Sequence, residues 1–161
     1  MITGLRPNRP LGPGAKGFTL IELITAIAIV LILTTMALPV ARKEVQEQKE
    51  VELHRDLREM RRAINRYKDF SDQGLIPATL DGFGYPPSLQ ALVEGVKLKG
   101  MTVRYKFLRR IPVDPMTGNK DWGLRCMQDE PGSDSWCGHD VFDVYSKSQQ
   151  TGLDGIPYDQ W

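Results

Sequence analysis

The chain has 161 residues, enough for one domain of ordinary size with an appendage but too few for two independent cores. Lysine and arginine number 21 against 20 for aspartate and glutamate, so the net charge of +1 gives no basic field for attracting nucleic acid. The composition predicts a single-domain protein and argues against a nucleic-acid-binding function.

The chain begins with a short basic stretch, residues 1–17, which we expect to remain in the cytoplasm. It contains three basic residues, no acidic residue and several prolines and glycines that disfavour a helix. Positive charges beside an apolar segment favour its retention on the cytoplasmic side of a membrane. Arg42 and Lys43 follow the apolar segment and weaken this asymmetry without reversing it.

Residues 18–41 form an apolar run of 24 residues whose only ionisable side chain belongs to Glu22. A helix crosses a bilayer with about 20 apolar residues, so the run predicts a transmembrane helix. A secretory signal peptide has an apolar core of only about 7–15 residues. The run is too long for that, which leaves a plain signal anchor as the alternative.

Glu22 is unusual because a carboxylate inside an apolar span costs about 2.5–3.5 kcal/mol on insertion scales. The run contains no cation that could pair with it. Cleavage between Gly17 and Phe18 would create an α-amine one helical turn away from Glu22. In a polymer, the amine of one subunit could instead meet Glu22 of a neighbour. The alternative is that this acid has no function.

The residues from Gly17 to Glu22, with the sequence GFTLIE, resemble the processing signature of type IV prepilins and pseudopilins. The resemblance implies cleavage after Gly17 by a prepilin peptidase, methylation of the new N-terminus at Phe18, and polymerisation through the apolar helix. The family also has a proline near the end of this helix, which Pro39 matches. A proline inside a helix removes one hydrogen bond, so we expect a kink there, or a helix break at the membrane edge.

The charged residues 42–70 contain no glycine or proline and should continue the helix. Five apolar residues recur at alternating steps of four and three, which places them on one narrow face. They are Leu53, Leu57, Met60, Ile64 and Tyr67. We expect this face to pack on the downstream domain, with a coiled coil as the lesser option.

Residues 71–161 show the signals of a small globular domain. A loop is predicted for residues 71–85, followed by a short helix from Pro86 to Gly95. Strands are predicted for Trp122–Met127 and Val141–Ser146. The predicted fold class is α+β, with a long N-terminal helix packed on a small antiparallel sheet.

The second half of the chain also resembles the major pseudopilins of type II secretion. The order of its motifs carries this resemblance: Tyr85-Pro86, Phe107 to Pro115, Trp122-Gly123, Phe142 to Ser146, and Trp161. The family implies a single-pass inner-membrane protein with a periplasmic domain, which an inner-membrane assembly platform adds to a periplasmic homopolymeric filament. It also implies a structural protein and no enzyme.

Two other functions fit the same sequence. One is a subunit or minor pilin of a surface type IV pilus, which would serve adhesion, motility or DNA uptake. The other is a membrane-tethered binding domain. Catalysis is not indicated, because neither His54 nor His139 belongs to a nucleophile-and-base arrangement or to a metal spacing.

Cys126 and Cys137 lie close together in a polar loop. In an oxidising compartment two cysteines predict one disulfide, whereas in the cytosol they would be free thiols or half of a metal site. With the domain placed outside the cytoplasm, we expect the disulfide. Such a pair is more typical of type IV pilins than of the major pseudopilins.

Related pseudopilins commonly hold one calcium ion in an acidic, glycine-rich loop near the C-terminus. The corresponding segment here is shorter, and its remaining carboxylates are Asp154 and Asp159. Calcium takes six to eight oxygen ligands, so several carbonyls or waters would have to join these two side chains. The resemblance thus makes one Ca²⁺ an expectation, and a simple turn at Asp154-Gly155 is the alternative.

Overall fold

The computed structural model describes residues 17–77, 83–130, 132–133 and 135–161, without the side chains of residues 36–41. The chain divides into two compact units, Met1–Arg42 and Lys43–Trp161. Residues 1–16 of the predicted leader lie outside the described residues. The first unit contains the beginning of helix α1, which runs from Leu20 to Asp72.

Helix α1 has identifiable signals at both ends. At its start, the hydroxyl of Thr19 accepts a hydrogen bond from the N–H of Glu22 at 3.3 Å, as an N-cap does. At its end, Gly74 has φ +70°, and the N–H of Leu75 bonds to the carbonyl of Phe70 at 3.0 Å. A glycine in the left-handed region commonly stops a helix in this way.

The second unit is built on the predicted apolar face of α1. All five predicted residues of that face are buried, which confirms the periodicity, and Ala63 joins them. Their partners come from the rest of the second unit and include Leu92, Trp122, Val141, Val144 and Tyr158. The long helix therefore supplies one wall of the core.

Helix α2 spans Leu89–Glu94, inside the predicted short helix. The hydroxyl of Ser88 caps its first turn by accepting from the N–H of Ala91 at 3.2 Å. Gly95 follows with φ +80°, and a Cβ there would lie 2.6 Å from the carbonyl oxygen of Tyr105. Glycine is needed here both for the backbone angle and for this close approach.

Two short antiparallel ladders complete the α+β fold and confirm the predicted fold class. Strand β1, Val96–Lys97, pairs with β2, Arg104–Tyr105, and strand β3, Gly123–Arg125, pairs with β4, Asp143–Tyr145. The predicted strands contain β3 and β4 and are longer than both. The β1–β2 ladder was not predicted, because two-residue strands show no measurable alternation. A 3₁₀ turn follows at Tyr158–Gln160.

Asp114 belongs to the motif from Phe107 to Pro115, and its hydrogen bonds stabilise the turn that follows this motif. Its side chain is fully buried, accepting from the hydroxyl of Ser146 at 2.7 Å and from the N–H of Met116 at 2.8 Å. Its own N–H donates to the carbonyl of Asn119 at 2.8 Å. The residue thus joins the turn after Pro112 to the end of β4. This is a structural role, since hydrogen bonds satisfy a buried carboxylate.

Candidate functional site

The predicted cleavage position, between Gly17 and Phe18, is open to solvent. Gly17 is exposed, its φ lies outside the left-handed region, and an added Cβ would have no neighbour within 4 Å among the described residues. Phe18 is 81% exposed. Neither the backbone nor the packing of the described residues requires a glycine at position 17.

Glu22 lies in the first turn of α1 and is exposed. Its carboxylate has no hydrogen-bond or ion-pair partner among the residues described. A carboxylate in the first helical turn interacts favourably with the positive end of the helix dipole, by about 0.3–1 kcal/mol. The pattern Thr19-x-x-Glu22 also matches a capping box. Glu22 thus has a local role at the helix start, and its side chain remains available to another chain.

The beginning of α1 exposes a nearly continuous apolar surface. Each large hydrophobic side chain in the following list is more than half exposed: Phe18, Leu20, Ile21, Leu23, Ile24, Ile27, Ile29, Val30, Leu31, Ile32 and Leu33. An apolar surface of this extent is typical of a protein or membrane contact. Over the residues that are described, no helix is long and apolar enough to cross a membrane.

The remaining part of the predicted span lies partly outside the described residues. Pro39 falls within the bounds of α1, but its side chain is among those left undescribed. The predicted kink at this proline stays a prediction.

The structure brings Cys126 and Cys137 together as a disulfide, with a Cα–Cα distance of 6.0 Å and a separation of 11 residues. Asp140 lies beside them, and its Oδ2 atom is buried without a partner among the residues described. This trio is the one group of three close cysteine, histidine or acidic ligands in the described part of the chain. The disulfide removes both thiolates that a metal would need.

Asp154 and Asp159, the two carboxylates expected to bind calcium, differ in their surroundings, and the calcium site stays a prediction. Asp154 uses its Oδ1 atom to accept from the N–H of Ile156 at 2.9 Å, which closes its own turn. Asp159 does keep one buried oxygen without a described partner. However, neither residue belongs to a described group of three acidic or other ligands. These two side chains have four carboxylate oxygens, one of them used in the turn, so carbonyls or waters would have to supply the rest of the six to eight that calcium takes.

The segment around Asp154 is bound to α1 by Glu50. One oxygen of this largely buried carboxylate accepts from the N–H of Leu153 at 2.9 Å, the hydroxyl of Tyr158 at 2.8 Å and the amide of Gln46 at 3.0 Å. Gln46 also reaches the carbonyl of Thr151 at 3.3 Å. Glu50 and Gln46 therefore hold this segment on α1 by hydrogen bonds.

A second set of contacts fixes the end of the same segment. The guanidinium of Arg61 donates to both carboxylate oxygens of Asp143 at 2.6 and 3.2 Å and to the carbonyl of Trp161 at 2.6 Å. The indole of Trp161 stacks on His54, with ring centroids 4.1 Å apart. Arg125 donates to the carbonyl of Asp159 at 2.8 Å. His54 is therefore an exposed residue whose imidazole packs against the indole of Trp161.

Burial changes the titration of two groups in these regions. It raises the pKa of the Tyr158 hydroxyl, and the hydrogen bond to Glu50 raises it further, so Tyr158 stays protonated as a donor. Burial also raises the pKa of the Asp140 carboxyl, and the nearby carboxylate of Asp129 adds to that rise. Sequence reasoning did not single out Glu50, Tyr158 or Asp140.

Comparison with known proteins agrees with the N-terminal signature and with the order of the later motifs. Residues 13–38 match the family model of the prokaryotic N-terminal methylation motif. The chain is 28% identical over 146 residues to the type II secretion system core protein G of Pseudomonas aeruginosa, covering 87% of this chain and 84% of that protein. These similarities confirm the resemblance recognised in the sequence.

Two further relatives carry the same name. The core protein G of Klebsiella pneumoniae is 29% identical over 147 residues, with 88% of this chain and 87% of the relative covered. That of Escherichia coli K12 is 28% identical over 140 residues, with 81% and 79% covered. No solved structure matches the chain.

Proposed function

We propose that this chain, similar over most of its length to type II secretion core protein G, is the structural subunit of a periplasmic pseudopilus. Its function would be to polymerise through the beginning of α1. The observation that carries the proposal is the exposed apolar surface of residues 18–33, which the fold of this chain leaves uncovered. Each Å² of such a surface that is kept out of water, in a membrane or between subunits, is worth about 25 cal/mol relative to exposure.

Before assembly, the same surface would hold the subunit in the inner membrane. The basic leader, residues 1–17, would remain in the cytoplasm and the second unit would lie in the periplasm. A prepilin peptidase would cut after Gly17, and Phe18 would become the methylated N-terminus. The exposure of both residues and the match to the methylation motif support this order of events. An assembly platform in the inner membrane would then transfer the subunit into the filament.

Glu22 would act during that transfer. With its side chain exposed in the first turn of α1, it could pair with the α-amine of Phe18 in its own chain or in a neighbouring subunit. Either pairing would neutralise two charges at the depth where the apolar surfaces meet. Pairing with a neighbour would also fix the relative height of two subunits.

The test combines processing with assembly. Intact-mass measurement of the protein from membranes should show a chain that begins at Phe18, and sheared filaments should contain it. Glu22→Gln should leave processing and the fold of the second unit intact while filament yield falls. The matched control is Asp69→Asn, an exposed acid of the charged part of the same helix. A mature protein that retains residues 1–17, or wild type without filaments, would contradict the proposal.

The disulfide favours one alternative, a subunit of a surface type IV pilus. Cys126 and Cys137 close a short loop of a kind more typical of such pilins. A deletion strain distinguishes the two functions. Loss of protein export to the medium with surface motility intact supports the secretion filament, and the reverse result supports the surface pilus.

A further inference from the structure

Asp140 is buried beside the disulfide, and its hydrogen bonds within the described part of the chain are incomplete. The residue is 1% exposed, and its Oδ2 atom has no partner among the described residues. The other oxygen, Oδ1, accepts one long hydrogen bond from the N–H of Met127 at 3.4 Å. Burying a carboxyl group with so few partners lowers stability, and a group of this kind is often one that takes part in a reaction.

The carboxyl group of Asp140 lies close to both sulfur atoms of the disulfide. One of its oxygens and the Sγ atoms of Cys126 and Cys137 all lie within 4.8 Å of one another. The backbone of Asp140 is held in place, because its carbonyl accepts from the indole N–H of Trp136 at 2.6 Å. A proton moves between two groups in direct contact or through one water molecule, and a single water spans this distance. The carboxyl group is therefore placed to exchange a proton with a sulfur atom when the S–S bond forms or breaks.

The two cysteines differ in their access to solvent. Cys126 is 1% exposed, whereas Cys137 is partly exposed, so a reagent from solution reaches the Sγ atom of Cys137 first. The Sγ atom of Cys126 lies 3.3 Å from the carbonyl oxygen of Asp140, an acceptor that favours a thiol over a thiolate there. Cys126 therefore needs a base inside the protein to react as a thiolate.

Among the described residues, two other titratable groups act on Asp140. They are the carboxylate of Asp129, which also accepts from the N–H of Cys126 at 2.7 Å, and the imidazole of His139. Burial raises the pKa of the Asp140 carboxyl, the hydrogen bond from Met127 and the nearby His139 partly offset this rise, and Asp129 adds to it. A raised pKa brings a carboxyl group closer to a thiol in acidity, which makes proton transfer between them easier.

We propose that Asp140 is the acid–base catalyst that forms the disulfide of its own chain. The Cys137 thiolate first attacks a small-molecule or protein disulfide, which forms a mixed disulfide and releases one thiolate of this oxidant. The Asp140 carboxylate then takes the proton of the Cys126 thiol. The new thiolate attacks the Sγ atom of Cys137, the bond to the oxidant breaks, and the oxidant leaves as its second thiolate. The oxidant gains the two electrons that the cysteine pair loses, and Asp140 passes its proton to solvent.

This inference goes beyond the proposed function, because it concerns one subunit and applies equally to a secretion filament and a surface pilus. The first experiment reduces the full chain in detergent and then adds oxidised glutathione. Mass measurement after acid quenching separates the mixed disulfide from the closed form. Asp140→Asn should slow the conversion by about tenfold or more, since a positioned base contributes roughly 10²–10⁴ in rate where it is fully effective. Asp140→Glu, which keeps a carboxyl group, should recover part of the rate. Closure as fast in Asp140→Asn as in wild type would overturn the proposal.

The matched control removes an equal charge from the same surroundings. Asp129→Asn keeps an oxygen that can accept from the N–H of Cys126. The loss of a negative charge favours a nearby thiolate, so electrostatics alone would leave closure equal or faster in both variants. Proton transfer predicts that Asp140→Asn is slow and that Asp129→Asn is not. Equal slowing in the two variants would contradict the proposed role.

The second experiment starts from the native, oxidised chain, so it decides the question even if circular dichroism shows that the reduced chain unfolds. Dithiothreitol thiolate attacks Cys137, and the Asp140 carboxyl should protonate Cys126 as it leaves. In wild type, the reduction rate divided by the thiolate concentration should fall as rising pH deprotonates Asp140. In Asp140→Asn it should be low and independent of pH. The same pH profile in both chains would overturn the proposal. Greater stability of Asp140→Asn could slow reduction by itself, but it would not produce this difference in pH dependence, nor would it slow closure.

Single-cysteine variants test the order of attack. In Cys126→Ser, the remaining Cys137 should form a mixed disulfide with oxidised glutathione under native conditions. In Cys137→Ser, the buried Cys126 should react at least about tenfold more slowly. Thermal melting verifies that both variants are folded. Equal rates would remove the difference between the two sulfur atoms on which the role of Asp140 depends.

Discussion

The two parts of helix α1 expose opposite kinds of residue. From Leu20 to Leu33 the large apolar side chains are open to solvent, whereas between Leu53 and Tyr67 the apolar side chains are buried and the exposed positions are charged. Both parts are α-helix, so the difference lies in what covers each one. The second part is covered by its own domain, whereas the large apolar side chains of the first remain exposed among the described residues.

Two glutamates show the same contrast in a single residue type. Glu22 has an exposed carboxylate with no partner among the residues described, and Glu50 has a buried one that accepts three hydrogen bonds. The first is free to bind another molecule, and the second fixes a segment of its own chain. A carboxylate on one helix can thus serve assembly or stability according to its surroundings.

Matched leucine substitutions test the contrast most strongly. Leu57→Ala should lower the free energy of unfolding by about 2–5 kcal/mol, since it leaves a cavity in the core. Leu23→Ala removes the same atoms from an exposed position and should leave that free energy within about 0.5 kcal/mol of wild type. Denaturant unfolding of both variants in detergent decides this. Equal losses in the two variants would contradict the division of the helix.

The disulfide should stabilise the second unit only. Replacing both cysteines, Cys126→Ser with Cys137→Ser, should lower its free energy of unfolding by about 2–4 kcal/mol, because a closed loop restricts the unfolded chain. The helix content of an isolated peptide from the first part of α1 should not change when reductant is added. Thiol labelling of the native protein provides the control, and two reactive thiols without reductant would exclude the bond.

Glu50→Ala should destabilise the second unit by about 1–3 kcal/mol, because Tyr158 and Leu153 lose a buried acceptor. Glu50→Gln keeps one carbonyl oxygen and should cost less. Glu22→Ala removes an exposed carboxylate of the first unit, should leave unfolding of the second unit unchanged and serves as the matched control. An equal effect of Glu22→Ala and Glu50→Ala on unfolding would remove the contrast between them.

Asp140 should give a smaller effect that depends on pH. Burial raises the pKa of its carboxyl in the folded state, so the folded protein holds this proton to a higher pH than the unfolded chain does. Stability from this group is therefore complete below the unfolded pKa, near 3.9, and is lost as pH rises through the folded pKa. Asp140→Asn should gain stability relative to wild type between pH 4 and 7. A difference that is independent of pH would contradict this.

Calcium should have no measurable effect on the second unit. The Glu50 contacts fix the segment around Asp154, whose carboxylate already closes its own turn. Thermal melts in millimolar calcium and in chelator should coincide. Saturation at about a hundred times Kd would instead raise stability by roughly 2.7 kcal/mol, so a retained site would be easily seen. Asp159→Ala is the control, since it would abolish any such shift.

Local patterns made the helices, the core face and the processing signature predictable. Residues such as Leu57 and Ile64 recur with the helical period, and Glu22 is conspicuous because every neighbour is apolar. Glu50 was not predictable, because it is one of many charged residues in its part of the helix. Its burial depends on Leu153 and Tyr158, which lie more than a hundred residues away. Contacts of that range leave no periodic signal in the sequence.

The distance along the chain between these partners has a consequence for biogenesis. The contacts that join Gln46 and Glu50 to Thr151, Leu153 and Tyr158 span 103 to 112 residues. A chain synthesised from its N-terminus presents the helix before the segment that docks on it, and contacts of high sequence separation form late. Until Tyr158 arrives, Glu50 stays hydrated and the core lacks one of its largest side chains. Closure of this segment therefore completes the core, and a chain truncated before Thr151 would be more open to proteolysis.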